Sequence, residues 1–281
     1  RMLGRDEVHR DYVCDQEAAG AMLEPDGMSI HPAKLAFGYL AMARRLGTKV
    51  YTASPVVRSE RHGKLHYLHT PGGTIRARSV CFATAGYTSP GLHDLTKHRL
   101  MPILSNSIVT RPLSPVEREA CGFKTGIPIT DTRTLRHYYR GLPDGRIQIG
   151  TRSAITGADA TNKKHLDRLI NGMHRKFPAL RGIEIDFSWW GWVDVSHDMM
   201  PRIYQPDPTQ SVFYAMGYGG NGVMYSAQAG RRLAQLVSGM GKIPNLPIFS
   251  SALPSHGILT PFRRIGQRAM YCWYGLKDEV L

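Results

Sequence analysis

Apolar positions along this chain change their period several times, and each change marks an element. In IHPAKLAFGYLAMARRLG, Ile30 to Gly47, they fall at Leu35, Leu40, Ala43 and Leu46, the spacing of one helix face. Pro32 suits a first helical turn and Gly47 a stop just past the last one. The next residues, TKVYTASPVVRSE from Thr48 to Glu60, read as extended and predict a strand. KLHYLHT and GGTIRAR predict two more, joined as a hairpin at Pro71-Gly72-Gly73. SVCFATAGY, Ser79 to Tyr87, predicts a short buried strand running into small residues.

From about Arg99 to Gln205 the texture differs. ILSNSIVTRPL, LRHYYRGLP, GRIQIGTR and IEIDFSWWGWVDVS are rich in β-branched and aromatic residues and predict strands. One amphipathic helix around NKKHLDRLINGMHRKFPAL interrupts them. QSVFYAM then returns as an apolar strand, a glycine turn follows, and Val223 to Val237 predicts a helix. In the tail, Phe262, Ile265, Ala269, Trp273 and Leu276 fall near helical spacing, which predicts an apolar stripe docked on the protein. The expected fold class is α/β plus α+β. An α/β layer at 25–98 and 206–250 is split by an antiparallel-sheet domain at 1–24 and 99–205, and a helical tail spans 251–281.

Composition narrows the function. The 281 residues are 42% hydrophobic and 21% charged, ordinary for a globular chain. A net charge of +14 raises the question of nucleic acid, but the basic residues are scattered and no recognition signature accompanies them. No nucleic-acid partner is expected. Cys14, Cys81, Cys121 and Cys272 form no CxxC pair, and the twelve histidines show no ligand spacing, so no metal is expected. No apolar run reaches bilayer length and no leader opens the chain, which suggests a cytoplasmic protein.

Chemistry concentrates in the turn at Gly217, Gly219, Gly220 and Gly222, between a strand and a helix. The helix N-terminus would aim its amides and a partial charge of about +0.5 at a ligand held there. The same turn also serves as a tight connection with no ligand. Asn221 and Gly222 are read as breaking the GxGxxG dinucleotide fingerprint, and no GK[ST] closes the turn as in a Walker loop. A second glycine-bearing strand exit is CFATAGYTS, Cys81 to Ser89. WWGWVDVSHDMMPRIY offers Trp189 and Trp190 to line a pocket, and HYYRGLPDGRIQIGTR offers Tyr139 and Arg152, an arginine being suited to a carboxylate.

Taken in order, these motifs resemble the D-amino-acid-oxidase-like FAD flavoenzymes, most of all the branch of glycine, sarcosine and gamma-glutamylputrescine oxidases. The resemblance runs from GMSIHPAKLAFGYLAMARRLG through SPVV, ATAGY, the HYYRGLPDGRIQIGTR strands and the Asp198-x-x-Pro201 turn. Its most specific part is AMGYGGNGVMYSAQAGRRLAQLVSG. It implies FAD as cofactor, with Val56 or Val57 touching its adenosine half and Ala83, Thr84 and Gly86 lying along it. Gly217, Tyr218, Gly219, Gly220, Asn221, Gly222 and Val223 would sit beside the flavin ring. The implied reaction oxidises the C–N bond of an amine or amino acid to an imine, with oxygen as acceptor. Asn221 stands where the family usually has His. The family opens with a βαβ unit that holds the pyrophosphate on GxGxxG; set against the resemblance, that unit either lies ahead of Arg1 or is absent from a degenerate or partial form. Two other readings follow from the charge and the tail: a quinone-linked dehydrogenase in weak contact with a membrane surface, and a non-catalytic basic binding module.

Overall fold

The computed structural model describes residues 1–89, 91–124, 126–152, 154–255 and 257–279. Along the chain run β1 (Met2–Gly4), α1 (Arg5–Asp11), β2 (Gly20–Met22), α2 (Pro32–Arg45), β3 (Arg58–His62), β4 (Leu65–Thr70), β5 (Gly73–Ala77) and β6 (Val80–Phe82). There follow β7 (Ile103–Thr110), α3 (Pro115–Cys121), β8 (Ile129–Thr130), β9 (His137–Gly141), β10 (Ile147–Arg152), α4 (Lys163–Lys176) and β11 (Ile185–Val193). The chain closes with β12 (Arg202–Tyr204), β13 (Val212–Met216), α5 (Gly222–Ser238), α6 (Pro247–Ser250) and α7 (Arg263–Glu279). These elements form two compact units, one of residues 1–31, 104–191 and 264–281, the other of 32–103 and 192–263.

The first unit is built on a sheet ordered β11-β7-β10-β9-β8. β10 runs antiparallel to both neighbours, with Ile149 opposite Ile108 on one side and Tyr139 on the other. Because side chains alternate across a sheet, these residues and Ile147 share one face. That face is buried with Leu169 and Met173 of α4, four residues apart, and with Phe177. Each such aliphatic or aromatic burial contributes roughly 1.5–3 kcal/mol. α4 starts at Asn162, whose side chain accepts the Lys164 amide at 3.1 Å. α3 starts in a capping box, with the Glu117 amide donating to Ser114 Oγ and the Ser114 amide to Glu117 Oε2.

A charged cluster lies inside this unit. Lys176, 1% exposed, places Nζ 3.3 Å from Asp15, 3.1 Å from Glu17 and 3.2 Å from Asp131. Arg133 bridges Glu17 at 2.9 Å and Asp131 at 2.8 Å. Burial opposes ionisation of Asp131, but His137, Lys176 and Arg133 together hold its carboxyl below the usual range.

In the second unit β13 is central, antiparallel to β12 and parallel to β6, with Tyr214 opposite Phe82. All five residues of β13, VFYAM, are buried. The strand is apolar throughout because both its faces are covered. Tyr214 and Met216 join Val80, Phe82, Leu100 and Leu253, whereas Ala215 joins Ile203, Ala229 of α5 and Phe249. β3, β4 and β5 form an antiparallel meander, its second connection at Pro71 and Gly72 as anticipated.

Two expectations need correction. The strand expected from Thr48 begins only at Arg58. Ala53 takes φ +52°, outside any strand, and Pro55 brings no amide to a ladder. In the tail, α7 forms, but with its faces reversed. Gln267 is buried and Asp278 accepts the amides of Thr134 at 3.0 Å and Leu135 at 2.8 Å, while Phe262, Ile265, Trp273 and Leu276 are exposed. Two fixed amide donors at the start of a buried segment make a carboxylate the better inward residue there. Residues 256, 280 and 281 of the tail lie outside the described residues. Residues 264–281 group with the first unit and 251–263 with the second.

Candidate functional site

β6 and β13 are adjacent and parallel, so their carboxyl ends lie at the same edge of the sheet. Ligands of open α/β sheets bind outside such ends. Each of the two strands runs directly into a glycine-bearing segment. After Phe82 come Ala83, Thr84 and a 3₁₀ turn at Ala85–Tyr87. After Met216 come Gly217 to Asn221 and then α5. The two exits are tied together: Thr84 and Thr88 share a hydroxyl hydrogen bond at 2.7 Å, and Thr88 Oγ1 donates to Met216 Sδ at 3.5 Å.

Glycine is required at these exits for definite reasons. A Cβ at Gly86 would lie 2.9 Å from Cβ of Trp192, and one at Gly219 would lie 2.9 Å from the carbonyl of Met199. Gly217, Gly219 and Gly220 have φ of +87°, +61° and +105°. The letters Gly217-x-Gly219-x-x-Gly222 do satisfy GxGxxG, so the spacing itself does not set this turn apart. What does is the missing ribose partner: no Asp or Glu follows until Asp278.

The amides of the turn are divided between the protein and the space at the head of α5. Gly217 donates to Asp194 Oδ2, Tyr218 to Asp194 Oδ1 at 3.3 Å, Gly219 to the Asp194 carbonyl at 2.9 Å and Asn221 to the Tyr218 carbonyl at 3.0 Å. Asn221 occupies the N-cap of α5 without a side-chain cap bond. The first amides of the helix, at Gly222 and Val223, therefore have no cap from that side chain. Tyr218 lies at a tilt to Tyr225, ring centres 6.5 Å apart, and burial, with Asp194 and Tyr225 nearby, pushes its hydroxyl up to about 12. Of the earlier candidates, Val56 packs on the core beneath β6, and the amide of Val57 donates to the His69 carbonyl at 2.9 Å.

The pocket candidates all lie in the first unit, and the structure separates them. Tyr139, 4% exposed, belongs to the core face: its hydroxyl donates to Asp15, and Lys176 Nζ sits 5.4 Å from its ring centre. Burial and the neighbouring Asp15 push that hydroxyl far up. Arg152 faces the other side of the sheet, opposite Ser105. Tyr138 shares that face, lies over Gly150 and hydrogen-bonds Ser105 through its hydroxyl. The signal available was parity: Tyr138, not Tyr139, is in step with Arg152 through the β9–β10 register. Trp189 and Trp190 are 45% and 39% exposed on β11. A shallow cleft of about 290 Å³ beside Arg118, Phe123, Lys124 and Pro143 contains none of the candidates. Among the described residues no cluster of His, Cys, Asp or Glu could hold a metal ion, and no helix is long and apolar enough to cross a membrane.

Residues 1–236 match the FAD dependent oxidoreductase family, DAO. The chain belongs to that family. It is 27% identical to gamma-glutamylputrescine oxidoreductase of Escherichia coli K12 over 99% of its own length and 64% of that protein's. It is 23% identical to glycine oxidase of Bacillus subtilis over 78% of its length and 57% of the relative's. It thus spans about half to two-thirds of the length of the curated relatives it matches. Its fold matches the crystal structure of glycine oxidase from Geobacillus kaustophilus with a TM-score of 0.74 at 21% identity, covering 91% of this chain and 67% of that one.

FAD is the family's cofactor, and the second unit fits the ring end of such a group. The fit rests on the amide donors at the N-terminus of a 17-residue helix, which follows a glycine turn with left-handed φ at Gly217, Gly219 and Gly220. Amide N–H groups suit the electron-rich pyrimidine edge of a flavin, and glycine lets a flat ring approach the backbone.

Proposed function

We propose that this chain forms the substrate sheet and the ring-binding part of an FAD-dependent oxidoreductase that oxidises the C–N bond of an amine or amino acid. The observation that carries this reading is the pair of glycine-bearing exits at the carboxyl ends of two adjacent parallel strands. The flavin, when bound, accepts the two electrons that leave the C–N bond, and the resulting imine is hydrolysed by water to a carbonyl compound. The protein's share is placement. Gly86 and Gly217 to Gly220 would lie along the ring, and the α5 amides at Gly222 and Val223 would stabilise negative charge at its edge. Ala83 and Thr84 continue the contact, and Val56 or Val57 meets the adenosine side. In the first unit Arg152, Trp189 and Trp190, with Tyr138 on the Arg152 face, are the substrate-facing candidates.

The test is direct. Full-length protein titrated with FAD should bind it in calorimetry, and a panel of primary amines and amino acids should yield hydrogen peroxide in the presence of oxygen. Absence of any FAD binding rejects the reading. A second reading, transfer to a quinone at a membrane, draws on the outward apolar stripe of α7, Ile265, Trp273 and Leu276. Turnover with a dye but not with oxygen, together with sedimentation on anionic vesicles, would favour it.

A further inference from the structure

Asp194 is 6% exposed, yet it carries a carboxylate into the foot of the glycine turn. Three consecutive turn amides go to this one residue: Gly217 and Tyr218 to its carboxylate oxygens, Gly219 to its carbonyl. A bridge between Val195 and Tyr218 continues the pairing. A neutral Ser, Thr or Asn suffices to cap a turn, and burying a full charge costs far more than burying a hydroxyl. The same loop shows the ordinary solution: Asp198, four residues on, has Arg202 as counter-ion at 2.6 Å. Asp194 has no ion-pair partner among the described residues. Burial raises its carboxyl above the usual range, and only the Gly217 and Tyr218 amides and its own pull it back. The N–H dipoles of the turn itself therefore offset part of the cost of that burial.

Glycine lets residues 217, 219 and 220 take left-handed φ but restrains the backbone little by itself. Asp194 supplies the hold. It takes the first three amides of the turn, and the Asn221 side chain leaves the α5 amides at Gly222 and Val223 without a side-chain cap. We propose that Asp194 is the positioning residue of the flavin-side turn: its buried carboxylate clamps the Gly217 and Tyr218 amides and so fixes the backbone that presents the α5 N-terminus to the ring. The proposal rests on the flavin reading given above, but its first half can be tested without flavin.

Hydrogen exchange of the flavin-free chain reads the clamp. In Asp194→Ala the Gly217 and Tyr218 amides should exchange at least about tenfold faster, since each loses a charge-assisted bond. Amides of Tyr214 in β13 and Ile149 in β10 should keep their protection, which separates a loosened turn from a misfolded chain. Asp194→Asn preserves volume and keeps one acceptor oxygen but turns an NH₂ toward the other donor, so it should loosen the turn as well, to a smaller degree. Calorimetric FAD titration reads the consequence: Kd should rise at least about tenfold in Asp194→Ala, with a displaced flavin absorbance band, and less in Asp194→Asn. Glu117→Gln, in the first unit, serves as the unchanged control. Equal exchange in wild type and Asp194→Ala overturns the clamp. Faster exchange with unchanged FAD affinity and spectrum overturns its role toward flavin. A wild type that binds no FAD instead rejects the proposed function, while the exchange measurement still decides whether Asp194 holds the turn.

Discussion

A single methyl group tests the cradle at the residue scale. At Gly86 it would meet Trp192 Cβ at 2.9 Å, with the Trp192 carbon and oxygen at 3.2 Å, backbone that has little freedom to retreat. Gly86→Ala is therefore expected to cost about 1–3 kcal/mol, as overpacking does, and to weaken FAD binding; thermal denaturation and calorimetry check both. Gly219→Ala adds a left-handed φ of +61° to a 2.9 Å contact with the Met199 carbonyl, and should cost about 1–3 kcal/mol for the strain. A Tm equal to wild type in either variant would show that the turn relaxes freely. By contrast Cys121 should be inert: burial pushes its thiol up to about 12, so thiol reagents at pH 8 should leave it unmodified until the protein unfolds.

Elements here are decided largely by their ends. α3 is the clearest case. The Glu117 carboxyl is held down to about 2, first by hydrogen bonds from Arg111 and then by the Ser114 amide. A depressed carboxylate stabilises the fold above the unfolded value of about 4.3, and that stabilisation is lost as pH falls from there through about 2. Glu117→Gln should thus cost about 1 kcal/mol at pH 7 and almost nothing near pH 2. Urea unfolding at the two pH values measures the gap; a constant gap would mean that charge plays no part. α7 shows the limit of periodicity. Its apolar stripe was legible, but which face turns inward was set by Asp278 meeting the amides of Thr134 and Leu135, partners more than 140 residues away.

At the scale of the whole chain, segments remote in sequence meet through charge as well as through apolar burial. Lys176 joins Asp15, Glu17 and Asp131 in the interior of the first unit. Lys176→Met leaves these carboxylates short of one cation and should destabilise by about 3–5 kcal/mol, read as a fall in the denaturant midpoint. A midpoint within error of wild type would show that water reaches the cluster. The cluster also explains Tyr139. As a residue type it suited a pocket, but its hydroxyl completes the Asp15 site, and parity then sends Tyr138 to the face of Arg152.

Local sequence alone determined the existence and order of the main elements, because apolar period, capping residues and glycine turns act over a few positions. The strand–turn–helix around Gly217, the Pro71-Gly72 hairpin and the α4 face were readable for that reason. The tertiary structure alone decided pairing and facing: that β6 lies parallel to β13, so two glycine exits share an edge, that Tyr139 is core, and that α7 turns its polar side inward. It also decided the part played by Asp194, which lies 23 residues from the amide it holds. Contacts of that range depend on which strands become neighbours, and pairing energy, unlike helix period, leaves no mark within one segment.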